Sequence, residues 1–310
     1  MKLTIKKILV SLSLLFVGVS LSSCGFPGLT GGSQSTIKIV AQSTTESQII
    51  GSMLQQLIEH ESDNKVELIN NLGSGTLSFN ALKNGDADVS SARYTGTDLS
   101  AVLNKPVVKD TVKANKMVKD GFEDRFQMKW FDTLGFADTY AFMVTQETAK
   151  KYNLKTVSDL KKIESELTVG VDANWISRIG DGYDGFQKEY NIKFGNIYPM
   201  QIGLVYSALA KGKMDVVLGY STDGRIKSYD LKILKDDRQF FPPYTASLVA
   251  NNSILKKHPE LGPLINRLTN KIDLSTMQSL NYRVDNDFYE PSVVAKQFLE
   301  KHHYFEKAGD

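Results

Sequence analysis

Ala81-Leu82-Lys83-Asn84-Gly85-Asp86-Ala87-Asp88-Val89 returns later in the chain as Ala208-Leu209-Ala210-Lys211-Gly212-Lys213-Met214-Asp215-Val216. Each copy reads as the end of a helix, a glycine C-cap and the start of a strand. Each strand then ends at a tyrosine followed by small hydroxyl residues: Tyr94-Thr95-Gly96-Thr97-Asp98 in one copy, Tyr220-Ser221-Thr222-Asp223 in the other. Two lobes of related construction are the simplest explanation.

Short apolar strands alternate with amphipathic helices on either side of these copies, which argues for an α/β fold. Ile37, Ile39 and Ala41 alternate as a strand, and Ser43-Thr44-Thr45-Glu46 follows as a capping-box-like helix start. That helix presents Ile49, Ile50, Met53, Leu54, Leu57 and Ile58 on one face. Leu167, Val169 and Val171 repeat the strand pattern before Asp172. Ligands of open α/β sheets sit beyond the carboxyl ends of the strands, where Tyr94 and Tyr220 are placed, one per lobe. Tyr140 and Tyr244 do the reverse and begin strands, Ala141-Phe142-Met143-Val144 and Thr245-Ala246-Ser247-Leu248-Val249, which read as the crossings between lobes.

The N-terminal end carries Lys2, Lys6 and Lys7 and then an apolar run from Ile8 to Val19. This is a signal-peptide pattern, too short for a membrane span, which takes ~20 apolar residues. It closes on Leu21-Ser22-Ser23-Cys24, which resembles the bacterial lipobox, with Cys24 as the lipidated residue. Cys24 is the only cysteine, so no internal disulfide is available to it. Residues 25–35 then read as a flexible tether, and the folded body starts near Thr36. Without residues 1–23 the chain keeps 34 basic against 35 acidic groups, a net charge of −1. Nucleic-acid binding thereby loses its electrostatic support.

Enzymatic readings find little support. His60, His258, His302 and His303 fall outside the strand-end loops, and Gly73-Ser74-Gly75 lacks the spacing of a nucleophile elbow. No phosphate-binding G-x-x-x-x-G-K-[ST] is present. Asp172, Asn174, Asp181 and Asp184 miss the calcium-loop pattern and read as cap and turn residues. No catalytic residue, metal or cofactor is expected.

Four motifs carry a family resemblance: Gly85-Asp86-Ala87-Asp88, Arg93-Tyr94-Thr95-Gly96-Thr97-Asp98-Leu99, Asp181-Gly182-Tyr183-Asp184-Gly185 and Tyr220-Ser221-Thr222-Asp223-Gly224-Arg225-Ile226. The chain resembles the substrate-binding lipoproteins of osmoprotectant ABC importers for glycine betaine, carnitine and choline, from the lipobox to the helix Val293–Leu299. The resemblance implies a two-lobed periplasmic-binding-protein-like fold of type II with two interlobe crossings and a ligand cleft. It implies lobes at 36–139 with 246–310 and at 140–245, after a signal peptide (1–23) and a lipidated tether (24–35). It also implies a monomeric receptor on the outer face of the cell membrane, serving permease subunits with a cytoplasmic ATPase. Four tyrosines surround the cation in this family, and the matching positions are Tyr94, Tyr140, Tyr220 and Tyr244. Gln42 and Thr97 match positions that contact the ligand's carboxylate.

The chemistry explains the residue type. A trimethylammonium group has no N–H to donate and spreads its charge over methyls, so aromatic faces suit it, each contact contributing ~0.5–2 kcal/mol once desolvated. Gln42 sits where a strand gives way to a helix N-terminus, whose free N–H groups favour an anion. Thr97 imposes no repulsion on a carboxylate, whereas an acid there would favour choline. The resemblance implies the same sorting, with an acid at this place in choline-restricted members and threonine in broad-range ones. The other nine of the 13 tyrosines are expected to pack or face solvent, and Arg93 and Arg178 to serve as lobe-surface or interlobe ion-pair residues. A cleft for another small solute, an anchored extracellular enzyme and a structural lipoprotein remain as rival readings.

Overall fold

The computed structural model describes residues 36–306, so the lipobox, Cys24 and the tether lie outside the described residues. Among the described residues, ten strands form two five-stranded sheets. The first contains β1 (Thr36–Gln42), β2 (Lys65–Leu72), β3 (Val89–Tyr94), β4 (Met128–Ala137) and β10 (Thr245–Asn251) in the order β2-β1-β3-β10-β4. The second contains β5 (Tyr140–Thr145), β6 (Thr168–Asp172), β7 (Asn196–Met200), β8 (Val216–Tyr220) and β9 (Leu231–Ile233) in the order β7-β6-β8-β5-β9. Both orders are the same once β1 is matched with β6 and β3 with β8. In each sheet the first three strands are parallel and the last two antiparallel.

The chain passes from the first sheet to the second through Asp138 and Thr139, and returns through residues 234–244. These crossings run side by side, the Asp138 N–H donating to the Tyr244 carbonyl over 3.1 Å. Residues 141–144 and 245–249, expected from the sequence to be the crossings, are instead strands within the second and the first sheet, and Tyr140 and Tyr244 stand where the crossings meet them.

The repeated nonapeptide is built twice in the same way. Helix Gly75–Asn84 ends at Gly85 with φ 79°, and helix Ile202–Ala210 is followed by Gly212 with φ 65°, both left-handed values that glycine adopts without strain. Asp88 then clamps its sheet by accepting the Lys38 backbone N–H over 2.8 Å, and Asp215 does the same with Thr168 over 2.8 Å. These matched bonds seat β3 against β1 and β8 against β6.

Each sheet is covered on both faces. The predicted apolar face of helix Thr45–Glu61 packs on the first sheet with helix Pro291–Lys301, and Phe79, Phe122 and Trp130 cover the other side. Phe142, Trp175 and Phe186 fill one face of the second sheet, Val205, Tyr206 and Leu209 the other.

One local expectation fails. Thr44 occupies the N-cap of helix Thr45–Glu61, yet its side chain caps nothing, so no capping box forms. Glu46 turns inward instead and accepts the Tyr94 hydroxyl, a partner available only once the sheets are assembled.

Candidate functional site

A cavity of about 290 Å³ opens where the carboxyl ends of the parallel strands face each other. Gln42, Tyr94, Thr97, Tyr140, Tyr220 and Tyr244 all line it. Tyr94 ends β3 and Tyr220 ends β8, while Tyr140 and Tyr244 enter from the two crossings. Tyr94 packs against the cores of both sheets. Gly96 is needed beneath Tyr244, because a Cβ there would lie 2.9 Å from the tyrosine ring.

Three rings form a cluster. The Tyr140 and Tyr220 centroids are 5.3 Å apart at 55°, and Tyr244 meets Tyr140 edge-on at 6.1 Å and 85°. Tyr94 makes no ring contact with these three among the described residues, and approaches from the first sheet. Each hydroxyl donates to a carboxylate: Tyr94 to Glu46, Tyr140 to Asp172 over 2.8 Å, Tyr220 to Asp172 over 3.2 Å, and Tyr244 to Asp181. Burial pushes all four phenols above their ordinary range, so the rings stay neutral with their protons pointed at the carboxylates.

Charges around the cavity are mostly paired. Arg93 is buried and bonded to Asp98, with Nε to Oδ2 at 2.7 Å, and its Nη1 donates to the Gly75 carbonyl over 3.0 Å. Arg178 donates from Nη2 to Asp181 over 2.8 Å and to the Tyr244 hydroxyl over 3.3 Å. Its guanidinium carbon lies 5.6 Å from the ring centroids of both Tyr140 and Tyr244. Burial raises Glu46, and raises Asp138 well above the usual carboxylate range with the nearby Glu46 adding to it.

Donors gather on the side of the first sheet. The Gln42 side-chain amide donates to the Ala92 carbonyl over 3.1 Å, which fixes its direction, and its second N–H has no partner among the described residues. The Thr97 hydroxyl makes no hydrogen bond among the described residues. Between them the ten-residue helix Gly75–Asn84 begins, capped by Ser74, whose Oγ accepts the Leu77 N–H over 3.2 Å. Unpaired N–H groups at such a helix start favour an anion.

Residues 35–301 match the family described as the substrate binding domain of the ABC-type glycine betaine transport system. The chain belongs to this family. It is similar to the carnitine transport binding protein OpuCC of Listeria monocytogenes, 57% identical over 298 residues that cover 96% of this chain and 97% of that one. It is also similar to the ergothioneine transport permease/ergothioneine binding protein EgtU of Helicobacter pylori, 34% identical over 85% of this chain and 47% of that longer protein. A crystal structure of a glycine betaine/carnitine/choline ABC transporter protein superposes with a TM-score of 0.78 at 58% identity, covering 87% of this chain and all of the other. The family consists of substrate-binding components of importers, which work with permease and ATPase subunits, rather than of enzymes.

Several residues around the cavity escape the sequence reading. Asp172 and Asp181 do cap and turn the chain, since Asp172 accepts the Asn174 N–H over 3.2 Å, but they also anchor three tyrosines. Arg93 is not a surface residue: its guanidinium is enclosed by Asp98 and the Gly75 carbonyl beside Phe79 and Phe122. Arg178 does form an ion pair, within one lobe, and faces the cavity as well. Ser74 and Gly75 carry a legible signal, a small hydroxyl residue between glycines at a helix start.

Proposed function

We propose that this protein captures a quaternary-ammonium compatible solute, such as glycine betaine, carnitine or choline, and hands it to the permease of an ABC importer. The observation that carries this reading is the meeting of four tyrosines, two from strand ends and two from crossings, on one cavity. Their faces suit a trimethylammonium group, which hydrogen-bond donors cannot grip. Gln42, Thr97 and the helix start at Gly75 are the anion-seeking side, fitted to the carboxylate of betaine or carnitine. The similar Listeria protein is a carnitine transport binding protein, and the similar crystal structure is of a glycine betaine/carnitine/choline transporter protein, which favours the same solutes.

The lobes of this reading are 36–139 with 246–310, and 140–245, with the ligand between them. Residues 1–23 act as a signal peptide, and Cys24 carries the lipid that holds the receptor at the extracytoplasmic face, through the tether 24–35. Cys24→Ser should release the protein into the medium with ligand binding intact; retention on membranes through salt and carbonate washing would exclude the anchor.

Calorimetric titration tests the cargo. Betaine, carnitine and choline should each bind one per chain, and Tyr220→Ala should abolish or greatly weaken all three. Wild-type affinity in that variant would refute the cage. Ergothioneine belongs in the same series, because the Helicobacter relative is an ergothioneine binding protein. Tight binding of ergothioneine without the smaller solutes would replace the proposed cargo.

A further inference from the structure

The first strands of the parallel halves end on different residues. β1 ends at Gln42, a neutral amide, and its counterpart β6 ends at Asp172, a carboxylate. Both are the second strand in sheets of the same order, so the two side chains occupy matched places at the cleft. Gln42 lines the cavity itself, whereas Asp172 stands behind the rings, 1% exposed.

Asp172 is surrounded by donors. Its Oδ2 accepts the hydroxyls of Tyr140 and Tyr220, and its Oδ1 accepts the backbone and side-chain N–H groups of Asn174 over 3.2 and 3.3 Å. These are the partners an ionised carboxylate takes, being an acceptor only. No cation is paired with it among the described residues. The nearby arginines already have carboxylates of their own: Arg93 has Asp98, Arg178 has Asp181, and Arg225 has Asp223. A buried charge without a counter-ion is costly, and its field reaches far in a dry site.

We propose that Asp172 is the counter-anion of the tyrosine cage, positioning Tyr140 and Tyr220 by their hydroxyls and making the cavity select a positive charge over a neutral group of the same shape. This inference rests on the cage reading above. The ligand's ammonium, seated on the ring faces, supplies the positive charge that no side chain gives Asp172. Hydroxyl protons drawn toward the carboxylate also leave the two rings richer in electron density on the faces a cation meets. Gln42, at the matched place in the other half, keeps the carboxylate end of a zwitterion free of repulsion. The cleft is therefore polarised along the same direction as betaine.

The test compares betaine with 3,3-dimethylbutanoate, which keeps the shape and the carboxylate but has carbon in place of the charged nitrogen. Asparagine and serine cap a helix start as well as aspartate, so Asp172→Asn and Asp172→Ser keep the local turn at Asn174. In either variant the preference for betaine over the isostere should fall roughly tenfold, from loss of betaine affinity alone. Asp172→Glu, which keeps the charge, should retain most of the preference. Equal losses for both ligands, or a loss in Asp172→Glu as large as in Asp172→Asn, would reduce Asp172 to a structural role and overturn the proposal. So would an unchanged preference in variants that melt as the wild type does. Tyr220→Ala, titrated alongside, separates the two readings: if it too binds betaine normally, the cage itself is wrong.

Discussion

Tyr94 and Tyr220 hold equivalent places at the ends of β3 and β8, yet their hydroxyls are held differently. Tyr220 shares the Asp172 carboxylate with Tyr140 and belongs to a three-ring cluster. Tyr94 makes no ring contact with that cluster among the described residues, and its hydroxyl is bonded to Glu46. The second half thus presents a consolidated aromatic wall, and the first half a single ring beside donors for an anion. On the proposed reading, two copies of one supersecondary plan serve the two ends of a zwitterion.

Alanine substitutions should give the largest effects. Tyr140→Ala and Tyr220→Ala each remove a ring and leave an opening in a packed cluster, so betaine affinity should fall on the order of 30-fold or more. Phenylalanine at either position keeps the face and should cost far less. At Tyr94 the balance differs: Tyr94→Phe leaves Glu46 without its donor, a loss of about 1–3 kcal/mol in stability. Chemical denaturation of the Tyr94→Phe and Tyr220→Phe variants compares the two halves directly. A larger stability loss at Tyr220 would contradict the arrangement.

Charge placed on the anion side should sharpen the contrast. Thr97→Asp puts a carboxylate into the cavity that Gln42 also lines, and betaine and carnitine should weaken by about tenfold or more while choline is less affected. A uniform loss for all three would show that Thr97 does not sort ligands by charge.

The pH dependence follows from Glu46 and Asp138, which burial holds above the usual carboxylate range. Their folded forms keep protons that the unfolded chain releases near pH 4. Stability contributed by these two groups is therefore present in acid, and falls as pH rises from about 4 through their raised values. Glu46→Gln should flatten that decline in melting experiments between pH 4 and 7. An unchanged slope would rule Glu46 out as its source.

The smallest effect should be a matched one. Asp88→Ala and Asp215→Ala each remove one carboxylate clamp on a backbone N–H, and each should cost about 1 kcal/mol. Clearly unequal losses would mean that the repeated nonapeptide is an accident of sequence rather than a shared structural device.

Much of this is legible in the sequence. The nonapeptide repeat predicts two related halves because helix end, left-handed glycine and clamping aspartate are local chemistry. Tyr94 and Tyr220 stand at the strand ends that the repeat marks, whereas Tyr140 and Tyr244 come to the site through the family resemblance. The hydroxyl acceptors were not legible. Tyr140 and Asp172, or Tyr244 and Asp181, meet only through the tertiary fold, and a lone aspartate before a short helix looks like a cap. Glu46 misled for the same reason, since a local capping pattern lost to a distant tyrosine. Arg93 was misjudged because its pairing with Asp98 is local but its enclosure beside Phe79 and Phe122 is not.

The central claim is that strand ends from both sheets close on one cation. Nuclear Overhauser measurements on the betaine complex, with selectively labelled tyrosines, address it most directly. The methyl protons of bound betaine should show contacts to the ring protons of both Tyr94 and Tyr220. Saturated binding with contacts to the rings of one sheet only, or to none of the four tyrosines, would contradict it.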